Sequence, residues 1–125
     1  MDFKATLVKK WKYRGYTCFI VYFMGHFCAY VVIPKKSKFH GETNWEKIPL
    51  EVHGGVTFTD KHPMVRNQWC IGWDYAHFGD YIPLPEEITS VEIPAELFGG
   101  KVWTDGEIAA ECESAVDQII ELEGE

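Results

Sequence analysis

The sequence lacks the cysteine and histidine spacings that are typical of metal and redox sites. Its 4 cysteines, Cys18, Cys28, Cys70 and Cys112, form no CxxC pair, and no HExxH motif is present. The chain also opens without the charged start, apolar stretch and cleavage site of a secretory signal. We therefore expect a cytoplasmic protein whose thiols are unpaired and mostly buried.

A long uninterrupted hydrophobic run is also missing. The most apolar stretch, residues 17–33, is broken by Gly25 and His26 and is rich in β-branched and aromatic side chains. Such a stretch favours two strands over a membrane span. The sequence therefore predicts no membrane partner.

Basic residues are scarce after residue 47. Residues 1–47 carry a net charge of +6 and residues 48–125 carry −13, and the last 21 residues contain 8 acids and no base. An acidic C-terminal part repels nucleic-acid backbone, so we expect no nucleic-acid partner. The basic part could attract a small anion; alternatively, the two parts are solvated faces or attract each other.

The chain does contain a regular series of β-forming stretches. With 125 residues, of which 46% are hydrophobic, it is long enough to form one domain, 1–125, with a real core. Turn residues separate five stretches that we interpret as strands, at 4–13, 16–23, 27–34, 55–60 and 69–76. The first three should form an antiparallel meander whose middle strand is covered on both faces.

A helix is predicted at the C-terminal end. Thr104 and Glu107 have the spacing of a capping box, and apolar residues then follow at helical intervals through residue 122. Cys112 lies on this apolar stripe and is interpreted as a core residue. The predicted fold class is α+β: an antiparallel sheet of about five strands with this amphipathic helix packed on it.

Two polar stretches, "EVHGGVTF" (51–58) and "GWDYAHFGD" (72–80), stand out in this apolar setting. They supply the predicted ligand-binding residues, which we expect to converge in one pocket: His53, Gly54, Gly55, Thr57, Trp73, Asp74, His77 and Asp80. The glycine pair would place backbone amides at the rim, where they could hold an anion. Aromatic residues among these polar groups could stack on a base or a sugar.

Other interpretations of the same cluster stay open at this point. His53, Asp74 and His77 are candidate catalytic residues, because an aspartate beside an imidazole supports acid–base chemistry. No established metal spacing is present, so we predict no metal or other cofactor, with a divalent ion on the cluster as an alternative. A purely structural role in turns is another alternative. His26, His40 and His62 are interpreted as turn or surface residues.

The chain resembles a family of small uncharacterised phage and prophage proteins. The resemblance is carried by "YVVIP" (30–34), "KFHGETNWEKI" (38–48), a VHGG-x-T motif at 52–57, a GxD-x-x-H-x-x-D motif at 72–80 and "VWTDGEIAAECESAVDQI" (102–119). It implies a shared site containing the two histidines, two aspartates, glycine pair and threonine named above. It implies no known activity, and it places the protein in the cytoplasm of a host cell.

Three functions follow as hypotheses. The first is a module that binds a polar, nucleotide-derived anion, which in a phage setting would sequester a host defence signal. A homo-oligomer that builds the pocket from two subunits is an open alternative to a monomer. The second is a hydrolase of the phosphodiesterase or glycohydrolase type, with His53 and His77 as acid and base. The third is a protein-interaction domain whose acidic helix mimics nucleic acid.

Overall fold

The computed structural model describes residues 5–76 and 103–124, which form a five-stranded antiparallel sheet with one α-helix packed on it. The predicted α+β fold is therefore confirmed. The strands are β1 (Thr6–Tyr13), β2 (Tyr16–Phe23), β3 (His26–Val32), β4 (Phe58–His62) and β5 (Gln68–Asp74), and the helix is α1 (Asp105–Glu123). Their order in the sheet is β1-β2-β3-β5-β4.

Two tight hairpins set the register of the meander. The β1–β2 turn has φ values of 50° at Arg14 and 87° at Gly15, and the β2–β3 turn has 52° at Met24 and 84° at Gly25. Positive φ at both central residues is the signature of the type I′ turn, whose twist matches that of the flanking strands. The turns therefore fix which side chains of β1, β2 and β3 face the helix.

Strand β2 is covered on both faces, as its composition predicts. Cys18 and Ile20 face α1, Phe19 and Val21 face the opposite side, and none of the four is more than 2% exposed. The side facing α1 holds the main core, which includes Trp73. A smaller apolar cluster lies on the other side of the sheet.

The helix begins with the predicted capping box. Thr104 Oγ1 accepts a hydrogen bond from the Glu107 amide, and the Glu107 carboxylate accepts one from the Thr104 amide. The buried side of α1 is formed by Ile108, Ala109, Cys112, Ala115, Val116 and Ile119. Side-chain capping and the apolar stripe together explain where the helix starts and which face it buries.

Acidic side chains of α1 bond to the first hairpin. Arg14 Nη1 forms an ion pair with Asp117 at 2.8 Å, and the indole nitrogen of Trp11 donates to Glu113 at 3.1 Å. The Tyr16 hydroxyl donates to Glu123, and burial together with this bond raises the pKa of Tyr16 to about 12. The acidic and basic parts of the chain therefore attract each other at this interface.

All 4 cysteines are described, buried and unpaired, which confirms that prediction. Burial raises the pKa of Cys18 and Cys70 to about 12 and that of Cys28 to about 11, and it also raises the pKa of Cys112. Thiols with such pKa values stay protonated at neutral pH and are poor nucleophiles.

Replacing Gly72 with Ala should destabilise the sheet. A Cβ atom at this position would lie 2.5 Å from Tyr30 Cδ1 and 2.9 Å from the backbone oxygen of Ala29. The Tyr30 ring stacks on Phe19 with centroids 4.8 Å apart, so it has little freedom to move away. Overpacking of this kind costs about 1–3 kcal/mol of the free energy of unfolding, which denaturant unfolding would measure.

Gly106→Ala is the matched control for this substitution. A Cβ there meets only Thr104 Oγ1 at 4.0 Å, within the first turn of α1. Alanine in a helix stabilises by about 0.5–1 kcal/mol relative to glycine. Equal effects of the two substitutions would contradict the close approach of Tyr30 to the backbone at Gly72.

Candidate functional site

The "VHGG" stretch forms a tight turn. The Gly55 amide donates to the Val52 carbonyl at 2.9 Å, and φ is 71° at Gly54 and 80° at Gly55. A positive φ at the third residue is what a type II turn requires, so Gly54 has a structural reason to be glycine. The Gly55 amide is bonded within the turn and is not available to an anion. The expectation that the glycine amides form the rim of a pocket stays a prediction.

His53 lies on the helix side of the sheet. Its ring stacks on Tyr75 with centroids 5.0 Å apart and an interplanar angle of 4°, and its centroid is 4.8 Å from that of Trp103. The His53 backbone amide donates to Glu111 Oε1 at 3.2 Å. The backbone of the turn is thus bonded to α1, and the His53 ring packs on Tyr75 and Trp103.

Tyr75 joins this group to the core. Its hydroxyl donates to Glu111 and accepts from the Trp73 indole nitrogen at 3.0 Å. Burial and the Glu111 bond raise the pKa of Tyr75, so the hydroxyl keeps its proton. Trp73 is only 1% exposed. It is a core residue, and its predicted role in stacking on a ligand is wrong.

Asp74 points to the other face. Its Oδ2 accepts from the Thr57 hydroxyl at 3.2 Å, and its Oδ1 accepts from the Ala76 amide at 3.1 Å. Asp74 pairs with Cys28 in the sheet, one residue beyond Trp73. Because side chains alternate along a strand, Asp74 and Trp73 face opposite sides.

The structure therefore brings Thr57 and Asp74 together but separates Asp74 from His53. The expectation that His53 and Asp74 face one pocket is corrected, because the VHGG turn approaches on the helix side while strand alternation directs Asp74 away from it. His77 and Asp80 lie outside the described residues, and their part in a site stays a prediction. Within 5–76 and 103–124, no group of three or more His, Cys, Asp or Glu side chains could hold a metal ion.

A cavity of about 460 Å³ lies where β3 ends and β5 begins. We name it the basic cavity because its wall carries three cations and no carboxylate; its lining residues are Ile33, Pro34, Lys35, His40, Lys61, Arg66, Asn67, Gln68 and Trp69. None of these was predicted from the sequence as a site residue. Two features of the sequence could have indicated this cavity: the basic run "KKSK" at 35–38 and the loop predicted at 61–68, to which no function was assigned.

Within the described residues, no carboxylate neutralises the cations of the basic cavity. In the described ranges the only ion pair is Arg14–Asp117, so Lys35, Lys61 and Arg66 have no carboxylate partner there. Unpaired cations that share one concave wall create a locally positive potential, even in a chain with a net charge of −7.

The β4–β5 turn positions Arg66. A 3-10 turn at Pro63–Val65 is followed by Arg66 and Asn67 in the left-handed region, with φ values of 53° and 61°. The Asn67 amide donates to the His62 carbonyl at 2.9 Å. Two consecutive left-handed residues reverse the chain within a few residues and leave Arg66 and Asn67 at the cavity wall.

Trp69 and His40 supply the ring-bearing part of the wall, with centroids 5.9 Å apart. The Trp69 indole nitrogen is buried and has no acceptor in the described part of the chain. An unpartnered buried donor costs about 1–3 kcal/mol. Among the described residues, the Trp69 N–H therefore contributes no stabilising hydrogen bond.

A second cavity, of about 370 Å³, is lined by Lys38, Phe39, Glu42, Lys47, Pro49 and Leu122. It contains a carboxylate beside its two lysines, so its wall is of mixed charge. The basic cavity is consequently the better candidate for an anion.

Comparisons with protein-family models, with curated proteins and with solved structures find no match to this chain. No helix in the described ranges has both the length and the apolar character needed to cross a membrane.

Tyr75→Phe should destabilise the fold by about 1–3 kcal/mol, the cost of leaving buried polar groups without partners. The substitution removes the acceptor of the Trp73 indole and the hydroxyl donor of Glu111. Tyr13→Phe is the control, because the hydroxyl of Tyr13 donates to Asp117 at 3.4 Å in an exposed bond, and its loss should cost clearly less stability. Equal losses of unfolding free energy in the two variants would contradict the buried network.

Trp69→Phe should change stability by less than about 0.5 kcal/mol or increase it, because the buried donor without a partner is removed and this offsets the lost contacts. Trp73→Phe is the matched control, since its N–H is bonded to Tyr75. It should be at least about 1 kcal/mol less stable than Trp69→Phe. Thermal unfolding of both variants under the same conditions measures the difference.

Proposed function

We propose that this protein binds a small anion of the nucleotide class in the basic cavity. The observation that carries the proposal is the convergence of Lys35, Lys61 and Arg66 on one concave wall without a carboxylate partner in the described ranges. A ligand bearing phosphate would supply the missing negative charge. Arginine and lysine are the side chains that most often bind phosphate in proteins.

The size and the rings of the cavity support a ligand larger than a bare ion. Its volume of about 460 Å³ falls in the range of small-molecule sites, roughly 300–1,000 Å³. Trp69 and His40 offer aromatic surface on which a planar ring can stack. Asn67 and Gln68 add amide groups that can fix the orientation of a polar ligand.

The hydrolase hypothesis has less support. An acid–base mechanism needs two titratable groups within reach of one substrate. His53 and Asp74 lie on opposite faces of the sheet, and the basic cavity has one imidazole and no carboxylate on its wall. Binding without turnover is therefore the function we propose.

The nucleic-acid-mimic hypothesis is disfavoured by the contacts of α1. Glu113, Asp117 and Glu123 bond to the first hairpin, and Glu111 bonds to Tyr75. A mimic needs its charges directed to solvent. In a phage setting, which rests on the sequence resemblance alone, binding a nucleotide-type signal would sequester it from a host.

Removing one cavity cation should weaken ligand binding by about 10- to 150-fold, the range expected for a lost charge-assisted hydrogen bond. The test variants are Lys61→Gln and Arg66→Gln, and the probes are pyrophosphate and a set of nucleoside phosphates in titration calorimetry. Affinity should also fall with added salt, because charges near the surface are screened.

Lys12→Gln is the matched control for these variants. Lys12 is exposed on β1 and is not part of the cavity wall, yet its loss changes the net charge by the same amount. It should leave affinity within about twofold of the unmodified protein, since a distant exposed charge is screened. The proposal would be refuted if no probe binds at millimolar concentration, or if Lys12→Gln weakens the affinity for a probe as much as the cavity variants do.

A further inference from the structure

His62 links the basic cavity to an aromatic cluster on the opposite face of the sheet. It is the last residue of β4, and its Nδ1 accepts a hydrogen bond from the Met64 amide at 3.1 Å. An imidazole nitrogen can accept only when it carries no proton, so the contact requires neutral His62 with its proton on Nε2. The side chain thereby caps the 3-10 turn Pro63–Val65.

Aromatic rings surround this imidazole. Its centroid lies 4.5 Å from Tyr30, 5.0 Å from Phe19 and 5.8 Å from Phe58. Burial lowers the pKa of His62. The cause is the loss of hydration around the imidazole, which disfavours its charged form.

No charged side chain in the described ranges contributes to that lowered pKa. The titratable groups on the same face, placed by strand pairing and side-chain alternation, include Lys10 and Lys12 of β1, Cys28 and Tyr30 of β3, Cys70 and Asp74 of β5, and Asp60 of β4 itself. Asp74 lies at the opposite end of β5 from Gln68, the residue that pairs with His62. Burial raises the pKa of Tyr30 and raises that of Cys70 to about 12, so both stay uncharged near neutral pH. Asp60 is exposed and its Oδ1 accepts from the Lys61 amide at 2.7 Å. Protonated His62 would gain no ion pair in this part of the chain.

The turn that His62 caps also carries a cation of the basic cavity. Lys61 precedes His62, and Arg66 directly follows the capped turn, with its amide donating to the Pro63 carbonyl at 3.3 Å. The His62 carbonyl accepts from Asn67, so His62 holds both ends of the turn. Both cations line the cavity.

We propose that His62 makes the basic cavity acid-sensitive: protonation of its imidazole removes the cap from the Pro63–Val65 turn, releases Arg66 and lowers the affinity for the anionic ligand. This inference rests on the proposed function and concerns the regulation of the same site. A loss of affinity for an anion in acid is unusual, because acid generally adds positive charge to a protein and so strengthens anion binding.

The direction of the pH effect on stability follows from proton linkage. The pKa of His62 is lower in the folded than in the unfolded chain, so the unfolded chain binds more protons. Stability is therefore full above the ordinary histidine pKa of about 6.5 and declines as the pH falls toward the lower folded value. The same protonation uncaps the turn locally.

The first test needs no ligand. Backbone amide resonances of Met64, Arg66 and Asn67 should shift together between about pH 8 and pH 5, with the midpoint of the His62 ring resonances. In His62→Asn these shifts should vanish, because asparagine caps a turn well and does not titrate. Amides that do not follow His62 in the unmodified protein would overturn the inference whatever the ligand proves to be.

The second test measures affinity for sulfate, whose charge does not change over this pH range. His40→Asn serves as the background, since it removes the imidazole on the cavity wall. Affinity should fall about two- to thirtyfold from about pH 8 to pH 5, the range for loss of a cap. The decrease should disappear when His62→Asn is added and persist with His26→Asn, a histidine at the start of β3 outside the cavity.

The outcomes separate the two proposals. No binding of sulfate, pyrophosphate or any nucleoside phosphate at about pH 8, together with amide shifts that follow His62, would refute the proposed function and leave the uncapping of the turn supported. Binding that is independent of pH, or a decrease that survives His62→Asn, would overturn the acid sensitivity and leave the cavity as an anion site.

Discussion

The hydrogen bonds of Glu111 hold together three segments that are distant in the sequence. Its carboxylate accepts from the Tyr75 hydroxyl at the end of β5 and from the His53 amide in the VHGG turn. Tyr75 in turn accepts from the buried Trp73 indole. Helix, sheet and turn consequently share one polar network next to the core. The conspicuous motif at 52–55 thus has a structural reason for its histidine and its glycines.

Most of the fold could be predicted from the sequence because its signals are local. The type I′ turns at Arg14–Gly15 and Met24–Gly25 join dense β-forming runs, and the capping box at Thr104 marks the start of α1. Each signal lies within a few residues of the element that it defines. Placing β5 between β3 and β4 depends on pairing between distant segments, which no local pattern indicates.

The site was harder to predict for the same reason. Asp74 could be placed on one side of β5 from strand alternation, but the approach of His53 on the other side depends on where α1 packs. The basic cavity combines residues from two loops, and its shape depends on the left-handed conformation of Arg66 and Asn67. Asparagine adopts the left-handed conformation more readily than most residues, but nothing in the sequence indicates it for Arg66.

The contacts between α1 and the first hairpin span more than 100 residues of chain, from Trp11 to Glu113 and from Tyr16 to Glu123. Closing a loop of that length carries a large entropic cost before any contact compensates for it. The β1–β2–β3 meander, by contrast, closes through two-residue turns. Folding should therefore begin in the meander and finish with the docking of α1, so that the helix-facing side of the sheet stays exposed to solvent until the last step.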